Sequence, residues 1–203
     1  MDTQELSYAK ALKRLDYSLK LVNLLRDHIK SPKSLLYKKI SETLLALPEV
    51  KIVNFGTKNI NFLIAGDFTY KDQSFTIFTI RRDHIQLYFS PFLLYIDNAI
   101  SKSERFLLEV FRSSNRKKEI LNNTLNNLHS AYSGIIKIIQ ESSLLEPVCI
   151  IKKQSIKIKN NSYLTKDNNN TISYFLHLLK DLSLFLENIR KIHREFYINM
   201  LLS

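Results

Sequence analysis

Five histidines, one cysteine and a few carboxylates are the residues of this chain that could hold a metal or move a proton. The histidines stand at 28, 84, 129, 177 and 193, and no two have the three- or four-residue spacing that gathers ligands on one helix face. Cys149 alone cannot build a structural zinc site, and its flanks Val148, Ile150 and Ile151 point to a buried, inert thiol. Three glycines cannot furnish a phosphate loop, and neither G-x-x-x-x-G-K nor G-x-G-x-x-G occurs. The G-x-S-x-G nucleophile elbow is also missing. No cofactor or metal is expected, a small-molecule ligand is not indicated, and the chain reads as no enzyme.

The carboxylates offer one catalytic reading, a metal-dependent nuclease. Glu42 is expected on a helix ahead of a sheet and Asp67 after a strand, roughly where such folds place acidic ligands. The next strand carries Thr79-Ile80-Arg81 where a third carboxylate is needed, and Asp83 comes two residues late in a turn. This reading ranks third.

Charge gives a stronger one. The formal net charge is +11, with 30 Lys and Arg against 19 Asp and Glu. Lys152, Lys153, Lys157 and Lys159 fall on an expected hairpin, and Lys166 follows in an Asn-rich loop together with Tyr163. A basic β-ribbon can enter a major groove or lie along phosphates, and a tyrosine can stack on an unpaired base. The competing reading is an edge hairpin guarded by lysines against edge pairing. Composition dilutes the signal, because 21 Lys, 17 Asn and 23 Ile are what a gene rich in A and T would encode. Lys10, Lys13, Arg14 and Lys20 are taken as the wet face of the first helix.

These residues hang on elements that the hydrophobic pattern defines. Residues 1–47 read as a helical pair: a long helix over 3–30 with a stripe of Tyr8, Leu12, Leu15, Leu19, Val22 and Ile29, then a second over 33–46 started by Ser31-Pro32. Residues 50–89 change to strand composition. Strands are expected at 50–55, 59–65, 74–81 and 84–89, with turns at Gly56-Thr57, Gly66-Asp67 and Lys71-Asp72. Phe75, Ile77 and Thr79 should point one way and Thr76, Phe78 and Ile80 the other, both sets apolar enough for a sheet covered on two sides.

Residues 92–146 read as long helices. Ser101 to Glu104 forms an internal capping-box pattern, Ser113-Ser114-Asn115 marks a break, and a second stripe runs from Leu121 to Ile139. Residues 148–159 form a hairpin and 160–170 an Asn-rich loop, after which Thr171 can cap a long helix over 171–202. Ile172, Phe175, Leu179, Leu182, Leu186, Ile189, His193, Phe196 and Met200 follow in steps of three and four on that helix. Leu178, Phe185 and Ile192 widen the stripe beyond a two-stranded coiled coil, so packing within the chain is expected. His193 is its one polar member and a candidate for fixing a partner, with the plainer alternative of a ring tip reaching solvent.

The expectation is therefore a single α+β domain over 1–203: a bundle of long amphipathic helices packed with a small antiparallel β-meander and a hairpin in the C-terminal half. Residues 1–20 carry charges throughout and lack the apolar core of a secretory signal, and no apolar run reaches the ~20 residues of a membrane span. A cytoplasmic location follows as an expectation. The leading functional reading is a non-catalytic interaction or assembly protein, a structural component or chaperone of the kind A/T-rich phages and plasmids encode. It would act on a protein partner or by self-association. Nucleic-acid binding through residues 147–171 is the alternative.

Overall fold

The computed structural model describes residues 3–55, 63–113, 118–159 and 168–202, apart from the side chains of 111, 113, 142–145, 168–170, 200 and 201. Within them the elements run α1 (Thr3–Lys30), α2 (Ser34–Leu45), β1 (Lys51–Phe55), β2 (Leu63–Tyr70), β3 (Gln73–Ile80), β4 (Ile85–Tyr88), α3 (Phe89–Ser113), α4 (Lys118–Leu145), β5 (Val148–Lys152), β6 (Ser155–Lys159) and α5 (Asn168–Leu202). The α+β class holds. The hairpin is not a separate unit: β5 pairs antiparallel with β4, and one six-stranded sheet runs in the order β1-β2-β3-β4-β5-β6. α3 and α4 are inserted between its neighbouring strands β4 and β5.

Directly paired residues share a face of an antiparallel sheet. One row reads Ile64, Ile80, Ile85, Ile151 and Ile156, an isoleucine on each of five consecutive strands. The next row on that face, Gly66, Phe78, Leu87, Cys149 and Ile158, is buried throughout. Branched side chains suit a half-buried pleated surface, so a chain rich in isoleucine builds the helix-facing side this way. At Gly66 the missing side chain matters, because an added Cβ would lie 2.1 Å from the Phe78 ring that covers it.

Several local expectations change. Gly66 and Asp67 lie inside β2, and the register shifts there, leaving Ile77 as an extra residue on β3. That bulge breaks the strict alternation: Phe75 opposes Phe68, which packs on Tyr95, while Phe78 opposes Gly66 on the same side. On the opposite face Thr79, Gln86, Ile150 and Lys157 are half-buried or exposed, while Ala65 in the same row is buried, so that face is more open toward the β4–β6 side. The β2–β3 turn falls at Lys71-Asp72, both with positive φ (48° and 61°), as a tight two-residue hairpin turn requires. Residues 56–62, including Gly56-Thr57 and the start of the strand expected at 59–65, lie outside the described residues.

α3 runs unbroken through Ser101 to Glu104, where Ser103 Oγ donates back to the Ile100 carbonyl instead of capping a new helix. Ser114 and Asn115 lie outside the described residues. α2 is capped by Lys33 without a side-chain bond, so Ser31-Pro32 is only its approach. α5 starts at Asn168, which puts Thr171 within its first turn and not at its cap, and makes the end of the expected loop helical.

α1 is the central helix, packed on α2, α3, α5 and β6. That position explains a buried surface wider than the predicted stripe, with Ala11, Arg14, Ser18, Leu21, Leu25 and His28 added to it. Arg14 is not on a wet face; it is fully buried. Its Nη1 donates to Asn98 Oδ1 at 2.9 Å and to Glu49 Oε2 at 3.3 Å, and Nη2 donates to the Tyr95 carbonyl. Its guanidinium also stands 4.8 Å from the Phe68 ring. Burial lowers the Arg14 pKa, while Tyr95 and Glu49 act in the opposite direction. Lys10, Lys13 and Lys20 are exposed as expected.

The α5 stripe is satisfied inside the chain. Phe175, Leu179, Leu182, Leu186, Ile189 and Phe196 are all buried, and α5 packs on α1 and α4. Gly134 of α4 allows that close approach: an added Cβ would meet the Phe185 ring at 2.1 Å. No helix among the described residues is long and apolar enough to cross a membrane.

Candidate functional site

The basic hairpin forms one edge of the sheet. Its inner residues Cys149, Ile151 and Ile158 are buried toward the helices, while Val148, Ile150, Lys152, Ser155, Lys157 and Lys159 occupy the open face. Lys153 is exposed in the turn, and Lys166 and Tyr163 lie outside the described residues. A histidine that charge and spacing did not single out fixes this hairpin. His28, fully buried near the end of α1, donates from Nε2 to the Lys152 carbonyl at 2.8 Å, and its Nδ1 accepts the Lys33 amide at 3.4 Å. The turn end of the ribbon is thereby tied to α1, which also packs on β6. What it offers is a face.

Beside the hairpin, β4 carries a chain of hydrogen bonds along that face. Tyr88 O–H donates to Gln86 Oε1 at 3.0 Å, Gln86 Nε2 donates to His84 Nε2 at 3.4 Å, and His84 Nδ1 donates to Asp83 Oδ1 at 2.8 Å. Every donor points toward the Asp83 carboxylate, so a neutral His84 satisfies the chain. The bond from His84 is the main cause that holds Asp83 below the usual carboxylate range, and Lys152 adds to it. Sequence spacing contained this signal, since 84, 86 and 88 alternate on one strand face. A shallow depression of about 430 Å³ lies beside the chain, lined by Ile150, Lys152, Ser155, Ile156, Lys157 and Lys159.

Register aligns these residues into repeating rows. Gln86 pairs with Ile150 and Ile150 with Lys157; Tyr88 pairs with Val148 and Val148 with Lys159. Each row thus presents a hydrogen-bonding side chain on β4, an aliphatic one on β5 and a lysine on the edge strand.

His193 lies elsewhere, in the seam between α1 and α5. It is 2% exposed, so its ring tip does not reach solvent. Nδ1 shares a 2.7 Å hydrogen bond with the Tyr8 hydroxyl, and Nε2 is buried with no partner. Burial drives its pKa down to about 4 and pushes the Tyr8 hydroxyl up. Tyr8 is in turn stacked on Phe106 at 4.2 Å, tying α1 to α3. A groove of about 490 Å³ opens along the seam, with Asp16 and Arg190 on its lining bridged at 2.5 Å.

The nuclease carboxylates do not assemble. Glu42 pairs with Lys38 on the exposed side of α2, Asp67 accepts from Thr76 Oγ1 at 2.8 Å within the sheet, and Asp83 is taken by His84. Among the described residues, no group of three or more His, Cys, Asp or Glu is placed to hold a metal ion. Cys149 is fully buried and its thiol is pushed up by burial, the opposite of what a nucleophile needs. Compared with protein-family models, curated proteins and solved structures, the chain gives no significant match.

Proposed function

We propose that the chain is a non-catalytic interaction protein whose helices act as scaffold and whose open sheet face is the contact surface. One observation carries this reading. A single row of paired residues, Val53, Ala65, Thr79, Gln86, Ile150 and Lys157, crosses all six strands on the face opposite the isoleucine row, half-buried or exposed at every position but Ala65. The helical stripes, by contrast, are consumed inside the chain, and His193 with them. Sheets that bury one face commonly leave the other solvated, and here that face alternates aliphatic and polar side chains. The role as a component of a larger assembly remains part of this reading, supported by composition alone.

Thr79→Arg and Ile150→Arg, placed on the face, test this against Leu184→Arg on the outer side of α5, where Leu184 is 54% exposed. All three should fold. Loss of partner recovery from cell extract in the face variants alone supports the reading; loss only with Leu184→Arg sinks it.

A further inference from the structure

We propose that the β4–β6 part of the open face binds single-stranded nucleic acid, with the strand running parallel to β6. The inference rests on the face being the contact surface and adds the chemistry of its occupant.

The rows supply the match. Lys157 and Lys159 stand two residues apart on the edge strand, about 7 Å along it, comparable to the step between phosphates of an extended single strand. β4 lies two strands away, about 10 Å, comparable to the reach from a phosphate to its base. Each row therefore repeats the cross-section of a nucleotide. A lysine meets the phosphate, Ile150 or Val148 lies under the sugar, and Gln86 or Tyr88 meets the base.

Both β4 side chains keep capacity for this role. Gln86 uses one of its two N–H donors within the hydrogen-bond chain and Tyr88 uses only its hydroxyl there, leaving its ring as a stacking surface. Lys152 extends the cationic edge toward the turn, and Asp83 is the acidic group that acts on the same end. A duplex keeps its base faces stacked on one another, so the Tyr88 ring can stack only on a base that is unpaired. Unpaired bases are what the face can read.

The test is fluorescence anisotropy of the full chain with labelled oligo-thymidylate and oligo-uridylate about twelve nucleotides long, against a duplex of equal length. Single strands should bind more tightly than the duplex, with log affinity falling against log salt at a slope of about −2 for three lysine contacts. Lys157→Glu with Lys159→Glu should weaken binding at least about tenfold at low salt and flatten the slope. Tyr88→Ala should weaken it about tenfold with the slope unchanged, because stacking releases no counterions. Asp83→Asn should tighten it. Lys137→Glu, exposed on α4, is the control for bulk charge and should matter little.

Circular dichroism establishes that each variant is folded. Equal affinity for duplex, or equal loss from Lys137→Glu and the hairpin pair, overturns the proposal. If no oligonucleotide binds while Thr79→Arg and Ile150→Arg still lose a protein partner, the nucleic-acid inference falls and the contact-face reading stands. If neither happens, both fall.

Discussion

The guanidinium carbon of Arg14 lies 4.1 Å from the ring centroid of Tyr95, and the same arginine donates to the Tyr95 main-chain carbonyl. One side chain on α1 thus grips both the ring and the backbone of one residue on α3. Tyr95 in turn donates from its hydroxyl to the Pro48 carbonyl at 2.7 Å, which fixes the α2–β1 connection. Arg14→Ala should cost about 3–5 kcal/mol in urea unfolding, because it empties a core position and strands the Tyr95 carbonyl and Asn98. Arg14→Lys should lose about 2 kcal/mol, since one ammonium cannot reproduce the planar fork. Arg14→Met keeps the volume but strands the same acceptors, so it should lie between Arg14→Lys and Arg14→Ala; a methionine variant as stable as wild type would show that desolvation cancels what the fork contributes.

Gly134 and Phe185 give a prediction whose sign depends on background. Alanine is worth up to about 1 kcal/mol more than glycine within a helix, but here its Cβ meets the phenyl ring. Gly134→Ala should therefore lower stability by about 1 kcal/mol, the ring having to swing aside. With Phe185→Leu already present, the same change should raise stability by about 0.5–1 kcal/mol. A double-mutant cycle measures the difference, and an additive result would refute the contact.

How much of this was legible is best seen in single residues. The bounds of α1 follow from a periodic stripe closed by Ser31-Pro32, and the start at Thr3 and end at Lys30 fell where the pattern placed them. Arg14 did not, because a helix packed on four elements buries a face wider than its hydrophobic stripe, and periodicity assigns a cation to solvent by default. Gly66 was misread for a related reason. A glycine looks like a turn until the phenyl ring that fills its place, twelve residues later on β3, is known. The lysines of the hairpin were visible, but their alignment with Gln86 and Tyr88 depends on β4–β5 pairing across the whole α3–α4 insertion, and no local pattern encodes that.

His193 sets a pH dependence. Its pKa of about 4 in the folded protein lies below the ordinary value of 6.5, so the unfolded chain takes up a proton more readily. Stability should be at its plateau above pH 6.5 and fall as the pH drops toward 4, by roughly 3 kcal/mol from this group over the full window. His193→Gln should remove that component of the slope between pH 6.5 and 4. Parallel wild-type and variant profiles would show that another group is responsible.

His28 should control the hairpin locally. His28→Ala removes the donor to the Lys152 carbonyl and the acceptor for the Lys33 amide, at a cost of about 1–3 kcal/mol. Hydrogen exchange should accelerate most at the amides of β5 and β6, with the β2–β3 ladder much less affected. Uniform acceleration through the sheet would argue that the contact is not local.

The insertion of α3 and α4 between β4 and β5 also orders events in time. The meander from β1 to β4 closes by short connections, whereas β5 can reach β4 only once residues 89–147 have folded back on themselves. The hairpin is thus the late arrival. Until it docks, β4 presents a bare edge bearing Ile85 and Leu87, open to pairing with a second copy of the chain. Conditions that slow the helical insertion should therefore raise misassembly during refolding, even where the finished fold is as stable as before.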